Sequence, residues 1–204
     1  MVGDARPIKV AFRNVFNDTP GKRFDWKTTV SEAIVGRTIS EAEAILSWQG
    51  NFRINRVGDL KTHTENDWSF KSARQGDRGD HFIDNFDRNA DVTIFFVKDA
   101  VLKQGETGST AGISYGNIIL IEERYAADSS ILAHELMHFC GLPHVTGKNK
   151  DAGIPANTEL KDNLMQESTG KIGGRYGSNL NVYQIARAVN PVQWRCTAMK
   201  VCRH

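Results

Sequence analysis

Cysteine and long apolar runs are scarce in this chain, and each scarcity removes a class of protein. Three cysteines in 204 residues, Cys140, Cys196 and Cys202, are too few for a disulfide framework. The fold must therefore rest on a buried core, which a chain of this length can supply as a single domain. Cys196 and Cys202 can bridge each other or stand as unpaired thiols. No apolar stretch approaches the length of a membrane span. The opening MVGDARPIKV lacks the charged-then-apolar pattern of a signal segment, so a soluble chain is expected. Charge of one sign is missing too: 26 lysines and arginines face 24 aspartates and glutamates, a formal net +2. With those charges scattered, neither nucleic acid nor a membrane surface is an expected partner.

What is present is HELMHFCGLPH, residues 134–144. On a helix of about 3.6 residues per turn, His134 and His138 lie one turn apart on one face and can reach a common ion. Glu135, rotated by roughly 100°, flanks that ion, where its carboxylate can serve as general base. Gly141 permits the left-handed backbone of a helix end and Pro143 discourages further helix, so the chain can turn His144 back as a third ligand. Three neutral imidazoles with one position left open describe a catalytic zinc site, whereas a structural site is closed by four protein ligands. Cys140 points roughly 140° away from the two helical histidines and is expected to pack. His-Glu-x-x-His alone is often an ordinary exposed helix face; Gly141 and His144 at their offsets decide for metal.

The rest of the chain reads as alternating strands and helices. IKVAFRNVF, residues 8–16, has the β-branched and aromatic make-up of a strand, closed by Asn17, Asp18, Pro20 and Gly21. Thr29 with Glu32, and Ser40 with Glu43, fit the Ser/Thr-x-x-Glu start of a helix. Ile39, Ala42, Ile45 and Leu46 fall at helical spacing, which predicts a helix ending near Gly50 with a break around Gly36. Phe52, Ile54 and Arg56 alternate as a second strand. Residues 59–90 are polar and form an expected excursion, with DHFIDNF as one short helix. His63 and His81 lie there near Glu65, Asp80 and Asp84, but histidines in a polar loop are ordinarily solvated, so no second metal is expected. DVTIFFVKD, residues 91–99, is a buried strand, and ISYGNIILIEE gives two more around Gly116. Asp128, Ser129 and Ser130 offer caps to the helix of His134. Asn181 can cap a last helix bearing Val182, Ile185, Ala186 and Val189.

This order, together with the zinc motif and DNLMQES downstream, resembles the metzincin clan of zinc metallopeptidases over roughly residues 7–190. The resemblance implies an α+β fold: a mixed twisted sheet with an antiparallel edge strand packed on two helices in an N-terminal lobe, residues 1–141. A small irregular C-terminal lobe, residues 142–204, would carry Met165 in a tight turn below the metal and one helix, with the active-site cleft between the lobes of a single catalytic domain. Glu167, two positions beyond Met165, stands where astacin-like and serralysin-like members carry a tyrosine, and Val145 matches no particular family, so the resemblance stops at the clan.

By the same resemblance the chain is a zinc endopeptidase acting on proteins or peptides as a monomer. One zinc ion is held by His134, His138 and His144, and Glu135 is the general base and acid. The edge strand, Gly112, Ile113, Ser114 and Tyr115, is implied to pair through its backbone with an extended substrate. Residues 163–177, with Tyr176, are implied to shape a subsite, and Tyr115 or Tyr176 can instead hold the oxyanion. Two alternatives stay open: a non-catalytic zinc-binding interaction module on the same fold, and a peptidase toxin delivered into another cell. Export or delivery outside the producing cell is the expected destination.

Overall fold

The computed structural model describes residues 6–17, 26–65, 85–98, 111–145, 162–166 and 178–189. Its organising strand is β1, Arg6–Asn17. On β1 are laid, in parallel, β3 (Phe52–Arg56), β4 (Lys61–Glu65) and β5 (Val92–Val97), and, antiparallel, the two-residue β2 (Trp26–Lys27). Beyond β5 the sheet continues with β7 (Ile118–Glu122), parallel to it, and ends in β6 (Gly112–Tyr115), antiparallel to β7. The expected antiparallel edge strand is therefore present. Gly116 at φ 58° and Asn117 make the two-residue turn that reverses β6 into β7. β5 and β7 are buried at every position, as sheet-interior parallel strands covered on both faces must be.

Helix α1, Glu32–Gly50, packs on β3 and on α2, Ser129–Phe139. Ser31 caps it by accepting from the Ile34 amide, and Asn51 at φ 55° ends it. Thr29 and Ser40, the expected caps, do other things: Thr29 bonds Glu123, and Ser40 lies within the helix. The break expected at Gly36 is absent. A Cβ there would meet open space, so this glycine costs about 1 kcal/mol of propensity and nothing in packing. Val35, Thr38, Ala42 and Leu46 form the buried stripe, while Ile39 and Ile45 are half-buried at its edges.

Two other expectations need correction. The polar excursion of residues 59–90 begins instead with β4, whose described side chains are exposed or half-exposed, so KTHTE has no apolar alternation to read. The short helix expected at DHFIDNF lies outside the described residues up to Asp84, and Asn85 and Phe86 are in a turn. In α3, Val182–Ala188, Gln184 and Ala188 are buried and the expected Ile185 packs half-buried on the core, whereas Val182 is 82% exposed. No described helix is long and apolar enough to cross a membrane.

Thr28 fastens β1 to β5. Its buried hydroxyl accepts from the Val15 amide at 3.0 Å and lies 3.1 to 3.3 Å from Asn14 Oδ1, the Phe96 carbonyl and the Val15 carbonyl. Thr28→Val keeps the shape but removes the oxygen that accepts from the buried Val15 amide and the hydroxyl hydrogen offered to the neighbouring acceptors, which should cost about 1–3 kcal/mol. Chemical denaturation of the variant against the parent measures this, and an unchanged midpoint would remove Thr28 as a fastener.

Candidate metal centre

The C-terminal end of α2 builds the site. Asp128 caps the start of the helix by accepting from the Ser130 amide. At the other end Gly141 takes φ 86°, its amide bonds the His138 carbonyl and the Leu142 amide bonds the Met137 carbonyl. This is a Schellman closure with glycine at its left-handed position, and it turns the chain so that His144 returns to the helix face of His134 and His138. The three rings meet with centroids 4.5 to 5.4 Å apart. Their ligand atoms lie within 4.8 Å of one another, and Nε2 of His138 is 3.0 Å from Nε2 of His144. Among the described residues this is the one such group, and it unites the three histidines expected from the sequence. Cys140 belongs to the buried apolar cluster instead. His63 sets its ring against Phe95, and His81, Asp80 and Asp84 lie outside the described residues.

Backbone carbonyls orient the first two imidazoles. His134 Nδ1 is 2.6 Å from the Leu164 oxygen, and His138 Nδ1 is 2.7 Å from the Leu142 oxygen. A carbonyl can only accept, so each Nδ1 carries the hydrogen and each Nε2 presents a lone pair. Burial, reinforced by the neighbouring His138, holds His134 well below its ordinary 6.5. Burial and then His144 bring His138 down to about 3. Both rings are thus neutral, the form a metal requires. Three imidazoles converging on one point, one buried and two half-buried, suit a divalent cation of the nitrogen-binding kind, zinc foremost.

Glu135 leaves the helix beside this group and is buried. Its carboxyl is raised to about 7 by burial, against a lowering by the Ser114 hydroxyl. Ser114 Oγ stands 2.7 Å from Oε2 of Glu135, and a Cβ at Gly112 would overlap the same side chain. Gly112 and Ser114 were expected to matter through their backbones; their meeting with Glu135 is a tertiary contact for which the sequence carries no signal. Ile113 is buried in β6, Tyr115 is placed by its pairing with Ile118, and Tyr176 lies outside the described residues.

Met165 is buried in the short turn 162–166, one residue after the carbonyl that holds His134. Its own carbonyl accepts from the Val145 amide, and its amide donates to Asn163 Oδ1. Asn163 and Gln184 exchange two amide bonds of 3.0 and 3.1 Å, and Gln184 also accepts from the Asn181 amide. The turn that carries Leu164 and Met165 is therefore fixed from α3. Asn163, two positions before Met165, was the available hint of this network.

No family model and no curated protein matches the chain in sequence. Solved structures do match in fold. A crystal structure of archaemetzincin from Methanopyrus kandleri aligns with a TM-score of 0.55 at 13% identity, covering 91% of this chain and 96% of that one. A zinc-dependent peptidase from Methanocorpusculum labreanum aligns with a TM-score of 0.48 at 12% identity, covering 88% and 99%. The α+β fold with its mixed sheet is that of the archaemetzincin structure.

Stability of the metal-free protein should follow these shifts. Below pH 6.5 the unfolded chain protonates His134 and His138 while the folded chain keeps them neutral, so stability rises with pH in that window. Glu135 acts oppositely between pH 4.5 and about 7, where the folded form holds the extra proton. With two groups against one, stability rises with pH between about 4.5 and 6.5. Thermal melts without metal should show a lower midpoint at pH 5 than at pH 6.5, and a shallower slope in His138→Gln. A midpoint that rises toward pH 5 contradicts this electrostatic account.

Proposed function

We propose that this chain is a zinc-dependent endopeptidase of metzincin type, hydrolysing peptide bonds in proteins or peptides. The observation that carries the reading is the convergence of three imidazoles, two of them oriented by carbonyls and held neutral, with a buried glutamate next to one of them in sequence. The archaemetzincin-like fold and the His-Glu-x-x-His-x-x-Gly-x-x-His spacing support it. In this reading the chain is one catalytic domain: a first lobe ending at Gly141, a second holding His144, the Met165 turn and α3, and a cleft between them.

His134, His138 and His144 hold one zinc through ring nitrogens. A zinc held there would supply Lewis-acid polarisation of the scissile carbonyl, worth several kcal/mol of transition-state stabilisation, and would acidify water. Glu135 moves the protons. A carboxyl raised to about 7 is balanced to take the proton of the attacking water on one oxygen and deliver it to the leaving nitrogen, since a general base works best with a pKa near the operating pH. β6 lies at the sheet edge, where an extended substrate can add as a further strand. The Met165 turn forms the floor under the histidines.

The test is a proteome-derived peptide library incubated with zinc-loaded protein and read by mass spectrometry. Cleavage should vanish with a chelator and return with zinc. Glu135→Gln should retain one zinc by elemental analysis and lose about 10²–10⁴ in kcat. Cleavage at the parent rate in that variant would dismiss Glu135 as the base, and zinc without turnover on any substrate in the parent would favour a binding module instead.

A further inference from the structure

Gly112 and Ser114 are two residues apart on β6, so their side-chain positions fall on one face of the strand. That face meets Glu135. A Cβ built on Gly112 would stand 2.7 Å from Oε1, 2.8 Å from Cγ and 2.9 Å from Cδ of Glu135. The positive-φ glycines of the described chain are Gly58, Gly116 and Gly141. Gly112 is not among them, so backbone freedom does not explain the glycine; space for the glutamate does. Two residues on, the Ser114 hydroxyl lies 2.7 Å from Oε2 and 3.1 Å from the Glu135 main-chain carbonyl. It has one hydrogen to give, and the nearer acceptor is the carboxyl oxygen.

We propose that β6 seats the general base: Gly112 leaves the volume and Ser114 supplies the hydrogen bond that together hold the Glu135 side chain in one orientation. Both are positioning residues for the reaction proposed above, and the inference rests on that reading. A glutamate has three side-chain torsions to fix, and its helix sets only the first atom. Contact with the strand constrains the far end, one oxygen by a hydrogen bond and the other by the glycine surface. The obstruction at Gly112 is entirely side chain, so a methyl group there need not disturb the backbone. It displaces the carboxylate.

The experiment compares the zinc-loaded parent with Ser114→Ala, Ser114→Thr and Gly112→Ala, measuring kcat, KM and zinc content on a peptide cleaved by the parent. A second readout needs no turnover: the side-chain carboxyl 13C resonance of Glu135 in metal-free protein labelled at that carbon, assigned by its loss in Glu135→Gln. Removing a group that orients a reacting residue typically costs 10- to 100-fold. Ser114→Ala should lose about 10-fold and Gly112→Ala about 100-fold in kcat, with KM and zinc unchanged. Ser114→Thr, which keeps the hydroxyl, should recover most of the loss. The resonance should move in Ser114→Ala and return in Ser114→Thr. A loss confined to KM, parent kcat in either alanine variant, or an unmoved resonance overturns the proposal. If the parent cleaves nothing, the peptidase reading fails by itself and the resonance alone decides whether β6 seats Glu135.

Discussion

The hydrogen bond from His134 Nδ1 to the Leu164 carbonyl ties the two ends of this fold together. At 2.6 Å, and between residues thirty positions apart, it fixes the ring tautomer and at the same time anchors the segment 162–166 under the end of α2. The Val145 amide donates to the Met165 carbonyl directly after His144, so the same short turn steadies the chain around the third histidine. Asn163 and Gln184 then link the turn to the capping box of α3. These bonds connect α3 to the ring of His134 through Gln184, Asn163 and the backbone of Leu164 and Met165.

The burial of these groups is unfavourable in isolation. Desolvation holds His134 and His138 neutral and drives Glu135 toward its protonated form, and buried polar groups are tolerated only where partners satisfy them. Carbonyls satisfy the Nδ1 side of the first two rings, Ser114 satisfies one carboxylate oxygen, and the converging ring nitrogens form a group that could hold a cation. Such a site gains stability from its ion, because binding to the folded chain alone pulls the folding equilibrium toward it.

How much of this could be read from the chain follows from where each signal is stored. HELMHFCGLPH was legible because helical periodicity and one left-handed glycine place all three histidines with local geometry alone. VTIFFV and IILIE were legible because a strand covered on both faces is apolar throughout. β4 was not, since KTHTE pairs with β1 through its backbone while its side chains stay wet. The face of α3 was misread because Gln184 is turned inward by hydrogen bonds, which apolar spacing cannot register. The Leu142 and Leu164 carbonyls belong to the backbone and leave no mark in residue type. Gly112 and Ser114 in GISY look like ordinary strand residues until Glu135, more than twenty positions away, is brought against them.

That last contact bears on how the sheet and the helix cooperate. In a site built on a helix alone, His134 and Glu135 are adjacent on the backbone, yet their far ends have independent torsions. The metal would orient one and leave the other free. An edge strand pressed on the glutamate removes that freedom, and because β6 is held through β7 and β5 to β1, the constraint is as rigid as the sheet. The same strand is the proposed seat of the substrate backbone. On that proposal, a peptide added along β6 would be registered against the strand that contacts Glu135, so the distance from scissile bond to Glu135 would be set by strand pairing.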